Sequence, residues 1–374
     1  MATLFEATVL NGMQLRNRTV RSATWEGMCT PEGEPTDELI ECYRELAKGE
    51  VGLIITGYAF IAREGKQLQG KMGICNDDFE ASYKRMTNAV HECDGKIAIQ
   101  LVHAGGQTDT QNAGQQPLAP SAIKVDQFPE TPAELTTEDI QRLIEAFGAA
   151  ARRAKAWGFD AVQLHGAHGY LINQFLSPLT NRRSDQYGGC VENRTRFLME
   201  VYRKVRATVG ADYPVLIKLN ATDHVEGGLN AVDGLYAARR LAEEGIDAIE
   251  VSAGTAVSGL KGPARFRINK EGDEAYNLDL ALGVKAVTTC AVMAVGGFRS
   301  YSVSEMAIAD GAVDYISFSR PLIREPDMFS RWRQGDRTRA DCKSCNNCFK
   351  PGREEGGIYC VNERKEQVEA TEEL

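Results

Sequence analysis

Eight short runs rich in β-branched and aliphatic residues recur along the 374-residue chain. Each is followed by a stretch with helical character, which restricts the chain to an α/β architecture. The runs are RTVRSA near Val20, GLIIT near Ile54, KIAIQLV near Ile99, DAVQLH near Val162, PVLIKLN near Ile217, DAIEVS near Ile249, AVMAVGG near Ala294 and VDYISFS near Ile316. Seven of the eight lack clean polar/apolar alternation, as expected of strands covered on both faces. Between them, TTEDIQRLIEAFGAAARRAKAWG reads as a helix with Thr137 as N-cap, Ile140 ruling out a capping box, and Gly158 as its close. NAVDGLYAARRLAEEG reads as another, closed by Gly245. Eight such alternations predict a closed (β/α)8 TIM barrel, with an open doubly wound sheet as the alternative. The barrel is expected over residues 1–335. A cysteine-rich extension follows over 336–374 and ends in acidic VEATEEL, read as a solvated tail.

Composition narrows the function. A net charge of −9 argues against a nucleic-acid partner, and no apolar run approaches the ~20 residues that cross a bilayer. The first residues, MATLFEATVLNGMQLRNR, lack a basic segment followed by an apolar one, so a cytoplasmic location is expected. No GxGxxG follows a strand, which speaks against a separate dinucleotide-binding domain. Monomeric and homo-oligomeric states both accord with the sequence.

Barrel active sites lie where strands end, so the residues after each strand carry the chemistry. After strand four come His165, His168 and Tyr170, two imidazoles able to polarise a carbonyl and a phenol able to deliver a proton. After strands seven and eight come Gly296-Gly297 and Ser319-Arg320, a pairing suited to a phosphate. Lys218 inside strand five and Gln100 in strand three are polar groups in apolar runs. Together they point to an aromatic, phosphorylated cofactor across the barrel mouth. The long loop from Thr255 to Asn277, with Arg265, Arg267, Lys270 and Tyr276, is expected to cover the pocket or to form a solvated basic surface.

The stretch HGAHGYLINQFLSPLTNRRSDQYGGCVENRTRF from His165 to Phe197 resembles the signature of the old yellow enzyme family of FMN-dependent barrel oxidoreductases. LRNRTVRSAT, QLVHAGGQ, PLAPSAI and Ser319-Arg320-Pro321 follow in family order, so the resemblance covers residues 1 to 335. It implies noncovalent FMN, reduced by NADH or NADPH, and hydride transfer to a substrate in the same pocket. It also implies that His165 and His168 bind the substrate carbonyl and that Tyr170 donates the proton. Gln100 and Lys218 are implied at the flavin ring, Lys218 standing where most relatives have arginine. Gly296, Gly297, Ser319 and Arg320 are implied at the phosphate, with Ala23, Thr24 and Gly57 beside the flavin. Trp25 departs from the threonine or cysteine that usually contacts the flavin at that position.

Cys342, Cys345, Cys348 and Cys360 lie within nineteen residues, a spacing that suits thiolate ligation of zinc or an iron–sulfur cluster. The pattern is similar to the cluster loop of the larger relatives, 2,4-dienoyl-CoA reductase and trimethylamine dehydrogenase, and favours [4Fe–4S] over zinc. The leading expectation is reduction of an activated C=C bond in an enone or enoate. The alternatives are an oxidative amine or demethylating dehydrogenase, and an electron-transfer subunit that passes charge to a protein partner.

Overall fold

The computed structural model describes residues 2–372. All eight expected strands form. They are Thr19–Arg21 (β1), Leu53–Phe60 (β2), Ile97–Val102 (β3), Ala161–Gly166 (β4), Val215–Asn220 (β5), Ala248–Ser252 (β6), Ala291–Val295 (β7) and Tyr315–Phe318 (β8). Every neighbouring pair is parallel, and β1 bonds to both β8 and β2, so the sheet closes into a (β/α)8 barrel, not an open sheet. The outer helices are Asp37–Lys48 (α1), Glu80–His91 (α2), Thr137–Ala156 (α3), Val191–Val209 (α4), Ala231–Glu243 (α5), Leu278–Val287 (α6), Tyr301–Ile308 (α7) and Met328–Arg333 (α8). Among the described residues no helix is long and apolar enough to cross a membrane.

The start of α3 corrects the sequence reading by one residue. Thr136, not Thr137, is the N-cap, and it forms a capping box with Asp139. The expected ends hold: Gly158 and Gly245 lie just beyond α3 and α5 at φ +91° and +84°, a conformation glycine adopts without steric cost.

Strand side chains alternate in direction, so residues two apart share the barrel interior. The lower layer is apolar: Val20, Leu53, Ala161, Leu216, Met293 and Tyr315 pack in one cluster. An antiparallel hairpin, Thr8–Leu10 with Met13–Leu15, plugs this end through Leu10, Met13 and Leu15. Two residues further along the strands the interior turns polar, with Ser22, Gln100, Gln163, Lys218 and Glu250, all buried. The fold thus builds a dry base below and a hydrogen-bonding floor above.

In β2 the register shifts between Ile55 and Tyr58, a bulge that carries Tyr58 to the mouth opposite Gln100. Gly57 sits in the bulge, where a Cβ would lie 2.4 Å from Glu26 Oε2 and 2.8 Å from the Thr24 carbonyl. Glu26 cannot move aside, because its Oε1 accepts from Arg21 at 2.8 Å and from the Tyr43 hydroxyl at 2.9 Å.

The extension is packed onto the barrel. Ala340 N donates to the Arg299 carbonyl (2.9 Å), Arg267 N to the Ser344 carbonyl (3.2 Å) and Ile358 N to the Glu26 carbonyl (2.8 Å). Two helices follow, Phe349–Glu354 (α9) and Val361–Glu372 (α10). The acidic tail belongs largely to α10, which is exposed, and its last two residues lie outside the described ones.

Gly57→Ala forces a methyl group against the buried Arg21–Glu26 pair. It should cost about 1–3 kcal/mol of stability, read as a lower denaturation midpoint. An unchanged midpoint would show that Glu26 yields at no cost.

Candidate active site

The C-terminal ends of the strands surround a cavity of about 430 Å³. Its floor is a chain of buried polar side chains. Gln100 Nε2 donates to Gln163 Oε1 (2.6 Å), and Gln163 Nε2 donates to Glu250 Oε2 (2.9 Å). Glu250 Oε1 accepts from Ser22 Oγ (2.7 Å), and Ser22 Oγ accepts from Lys218 Nζ (2.8 Å). Lys218 also lies 3.3 Å from Glu250, its in-register neighbour across β5 and β6. Burial lowers the Lys218 pKa and Glu250 opposes the shift, so the carboxylate helps keep a cation on the floor.

The wall comes from the end of β4. His165 and His168 rings stand 5.2 Å apart at 88°, and the Tyr170 ring lies 4.7 Å from His165. Burial holds His165 well below the usual histidine range and His168 at about 3, with Lys218 adding repulsion at both. Both rings are therefore neutral near neutrality, each with an N–H to donate. His168 Nε2 is held by Ser252 Oγ at 2.7 Å, and His168 occupies the left-handed region at φ +61°. His165 Nδ1 is buried without a partner among the described residues. Burial pushes the Tyr170 phenol up to about 12, so it keeps its proton. The Tyr170 hydroxyl donates to Gln67 Oε1 (2.8 Å) and lies 3.1 Å from the Tyr58 hydroxyl, which shares the same acceptor.

Across the cavity stand Gly297, Ser319 and Arg320. Gly297 adopts φ +77°, and a Cβ there would meet the Tyr276 ring at 2.9 Å. Ser319 Oγ lies 2.6 Å from Thr24 Oγ1, and Arg320 donates to Asn346 of the extension. Of the residues singled out from sequence around this pocket, Ala23, Thr24, Trp25, Gln100, Lys218 and the His165–His168–Tyr170 trio line the cavity together with these three.

Two expected residues do not line it. Gly57 instead makes room for Glu26, and Gly296 lies behind Gly297, its carbonyl accepting from Tyr276 N at 3.0 Å. The Thr255–Asn277 loop reaches the cavity through Pro263, Ala264 and Tyr276, while Arg265 lies over the Tyr276 ring at 4.2 Å and Arg267 and Lys270 face solvent. Sequence reasoning passed over Glu250, Gln163, Gln67 and Lys71. Glu250 carried the same signal as Lys218, a charge inside an apolar run.

The extension takes part in this site. Ser344, Phe349 and Arg353 line the cavity, and Gly352 packs against the Trp25 ring, where a Cβ would lie 3.3 Å away. Trp25 thus joins barrel to extension. The structure pairs none of the ten cysteines in a disulfide. Cys342, Cys345, Cys348 and Cys360 line a second, smaller cavity, which shares Arg320 with the first. Among the described residues no three His, Cys, Asp or Glu side chains converge closely enough to hold a single metal ion. The zinc arrangement, with four sulfurs about 2.3 Å from one point, is therefore not formed here.

Comparison with known proteins places this geometry in a lineage. The chain is 36% identical over 348 residues to an NADH oxidase of Thermoanaerobacter brockii, covering 92% of this chain and 52% of that protein. It is 37% identical over 324 residues to an NADPH dehydrogenase of Geobacillus sp. (strain WCH70), covering 86% and 91%. Among solved structures, a 2-naphthoyl-CoA reductase in complex with 2-naphthoyl-CoA superposes with a TM-score of 0.89 at 28% identity, covering 96% of this chain and 56% of that one. The chain thus spans about half the length of the NADH oxidase and of the naphthoyl-CoA reductase. The model of the NADH:flavin oxidoreductase / NADH oxidase family matches residues 3–339, the barrel and every strand end that builds the cavity, and the chain belongs to that family.

Proposed function

We propose that the chain is an FMN-dependent NAD(P)H oxidoreductase that reduces the activated C=C bond of α,β-unsaturated carbonyl compounds. One observation carries this reading: two neutral imidazoles and a protonated phenol face one cavity above a cationic floor. The residues present suit FMN. A polar edge would meet Gln100 and Lys218. A phosphate would meet Arg320, with the backbone of Gly297 and Ser319, and Ala23, Thr24 and Trp25 would flank the ring. FMN held there would supply hydride-transfer chemistry between NADH or NADPH and the β-carbon of the substrate.

The chain's own groups do the rest. His165 and His168 donate N–H bonds to the carbonyl oxygen and stabilise the negative charge that develops there. Ser252 fixes the His168 ring for this task. Tyr170 gives its proton to the α-carbon, and its hydrogen bond to Gln67 sets the direction of the hydroxyl. Phe349 and Arg353 of the extension line the cavity beside these groups.

The second cavity supports an iron–sulfur site. Four thiols surround one space, and Asn362 and Arg324 place N–H groups 3.7 Å from Cys345 Sγ and 3.9 Å from Cys360 Sγ. N–H groups of this kind stabilise the negative charge on ligating thiolate sulfurs. We take a [4Fe–4S] cluster as the occupant. An oxidative enzyme or an electron-transfer subunit with a protein partner is the competing reading of such a site. Reduced protein that reacts with such a partner and with no small enone would establish that alternative.

Three outcomes test these assignments. Arg320→Ala should weaken FMN binding by about 1.5–3 kcal/mol, measured by flavin titration of the apoprotein. Tyr170→Phe should slow alkene reduction by up to ~10²–10⁴ while the flavin is still reduced by NAD(P)H, as stopped-flow traces of the two half-reactions would show. Protein isolated under argon should carry about four iron and four sulfide per chain, and Cys345→Ser should lose them while FMN stays bound.

A further inference from the structure

We infer that Lys71 is a specificity-determining residue that selects substrates bearing a carboxylate, with Arg353 guiding the anion at the rim. This deepens the ene-reductase reading above and rests on it for the identity of the substrate. Lys71 is 4% exposed and lines the main cavity. Its ammonium lies 3.9 Å from the Tyr58 ring centroid and 4.8 Å from that of Trp25. Among the described residues it makes no hydrogen bond and no ion pair. Two aromatic faces offset only part of the cost of removing a cation from water. Glu26, whose charge acts on Lys71, is already engaged by Arg21 and Tyr43.

The position of Lys71 is built, not incidental. Met72 and Gly73, directly after it, pair with Ala59 and Phe60 at the end of β2. Gly70, directly before it, adopts φ +68°, and a Cβ there would lie 2.8 Å from the Gly27 carbonyl. The segment is pinned on both sides, so the side chain is delivered to one place beside Tyr58. Tyr58 in turn packs edge-on against Tyr170 at 5.0 Å. The cation therefore sits next to the groups proposed to bind the carbonyl and donate the proton. At the rim, exposed Arg353 on α9 lines the cavity and has no carboxylate partner among the described residues. Lys71 burial without an anion holds its pKa well below the usual lysine value. A carboxylate arriving beside it removes that penalty and completes its hydrogen bonding. A neutral substituent gives neither gain.

The test compares an aryl enoate, trans-cinnamate, with its methyl ester on the purified, flavin-loaded protein. Equilibrium binding is measured by calorimetry and alkene reduction with NADPH is measured in parallel. The wild-type chain should bind the acid more tightly than the ester. Lys71→Met, which keeps the apolar stem over Tyr58, should shrink that preference by about 10- to 100-fold, the worth of one charge-assisted hydrogen bond. Lys71→Arg should retain part of it. A wild-type protein that fails to prefer the acid, or a preference unchanged in Lys71→Met, overturns the inference. The two readings fail separately. Lys71-dependent binding of the acid without reduction of either compound would sink the ene-reductase reading and keep the anion site. Reduction of both compounds with binding blind to charge would do the reverse.

Discussion

The structure turns on a carboxylate that has no contact with water. Glu250 is fully buried in the barrel, where Gln163 on β4, Lys218 on β5 and Ser22 just past β1 saturate it. Removing Lys218 would leave the carboxylate charge unpaired in a low-dielectric interior, where breaking a buried ion pair commonly costs about 3–5 kcal/mol. The same saturation fixes which way Gln163 points, hence which way Gln100 points, and it keeps Lys218 charged at the cavity floor. A packed apolar layer below and a hydrogen-bonded layer above are thus two consequences of one closed sheet with a period-two alternation.

Electrostatics above that floor follow from the burial that creates it. Burial disfavours protonation of the imidazoles above the floor and the Lys218 charge adds to it, so His168 is driven down to about 3. A cavity that holds histidines neutral and a tyrosine protonated is a donor-rich environment for an oxygen gaining negative charge. The arrangement is preorganised by partners outside the chemistry, Ser252 on one side and Gln67 on the other.

The barrel was legible in the sequence because buried parallel strands write near-continuous apolar runs. All eight runs became strands of the closed sheet. The site was legible where residues interrupt those runs or cluster after them, as with Lys218, Gln100 and the His165–Tyr170 stretch. What stayed hidden depends on partners distant in sequence. Gly57 looked like a cofactor contact, yet its need for no side chain comes from Glu26, which only the β2 bulge brings near. Lys71 lies in a polar loop with no periodicity, so nothing local marks it as buried. The extension read as an appendage because no linear pattern reveals that Trp25, far upstream, supplies the surface it lands on. The cap of α3 was missed by a single residue between two adjacent threonines, and only the reciprocal bond to Asp139 decides between them.

Arg320 belongs to two cavities at once, the large one over the barrel and the small one among the cysteines. A single guanidinium has a fixed number of N–H bonds and one positive charge to distribute. Whatever anion settles in either space draws on the same field and competes for the same donors. The occupancies are then linked thermodynamically, and the linkage is reciprocal: filling one chamber shifts affinity in the other by the same factor that the reverse order would produce. Asn346, which accepts from Arg320, ties that shared guanidinium to the extension. An affinity measured in one space is therefore defined only when the contents of the other are stated.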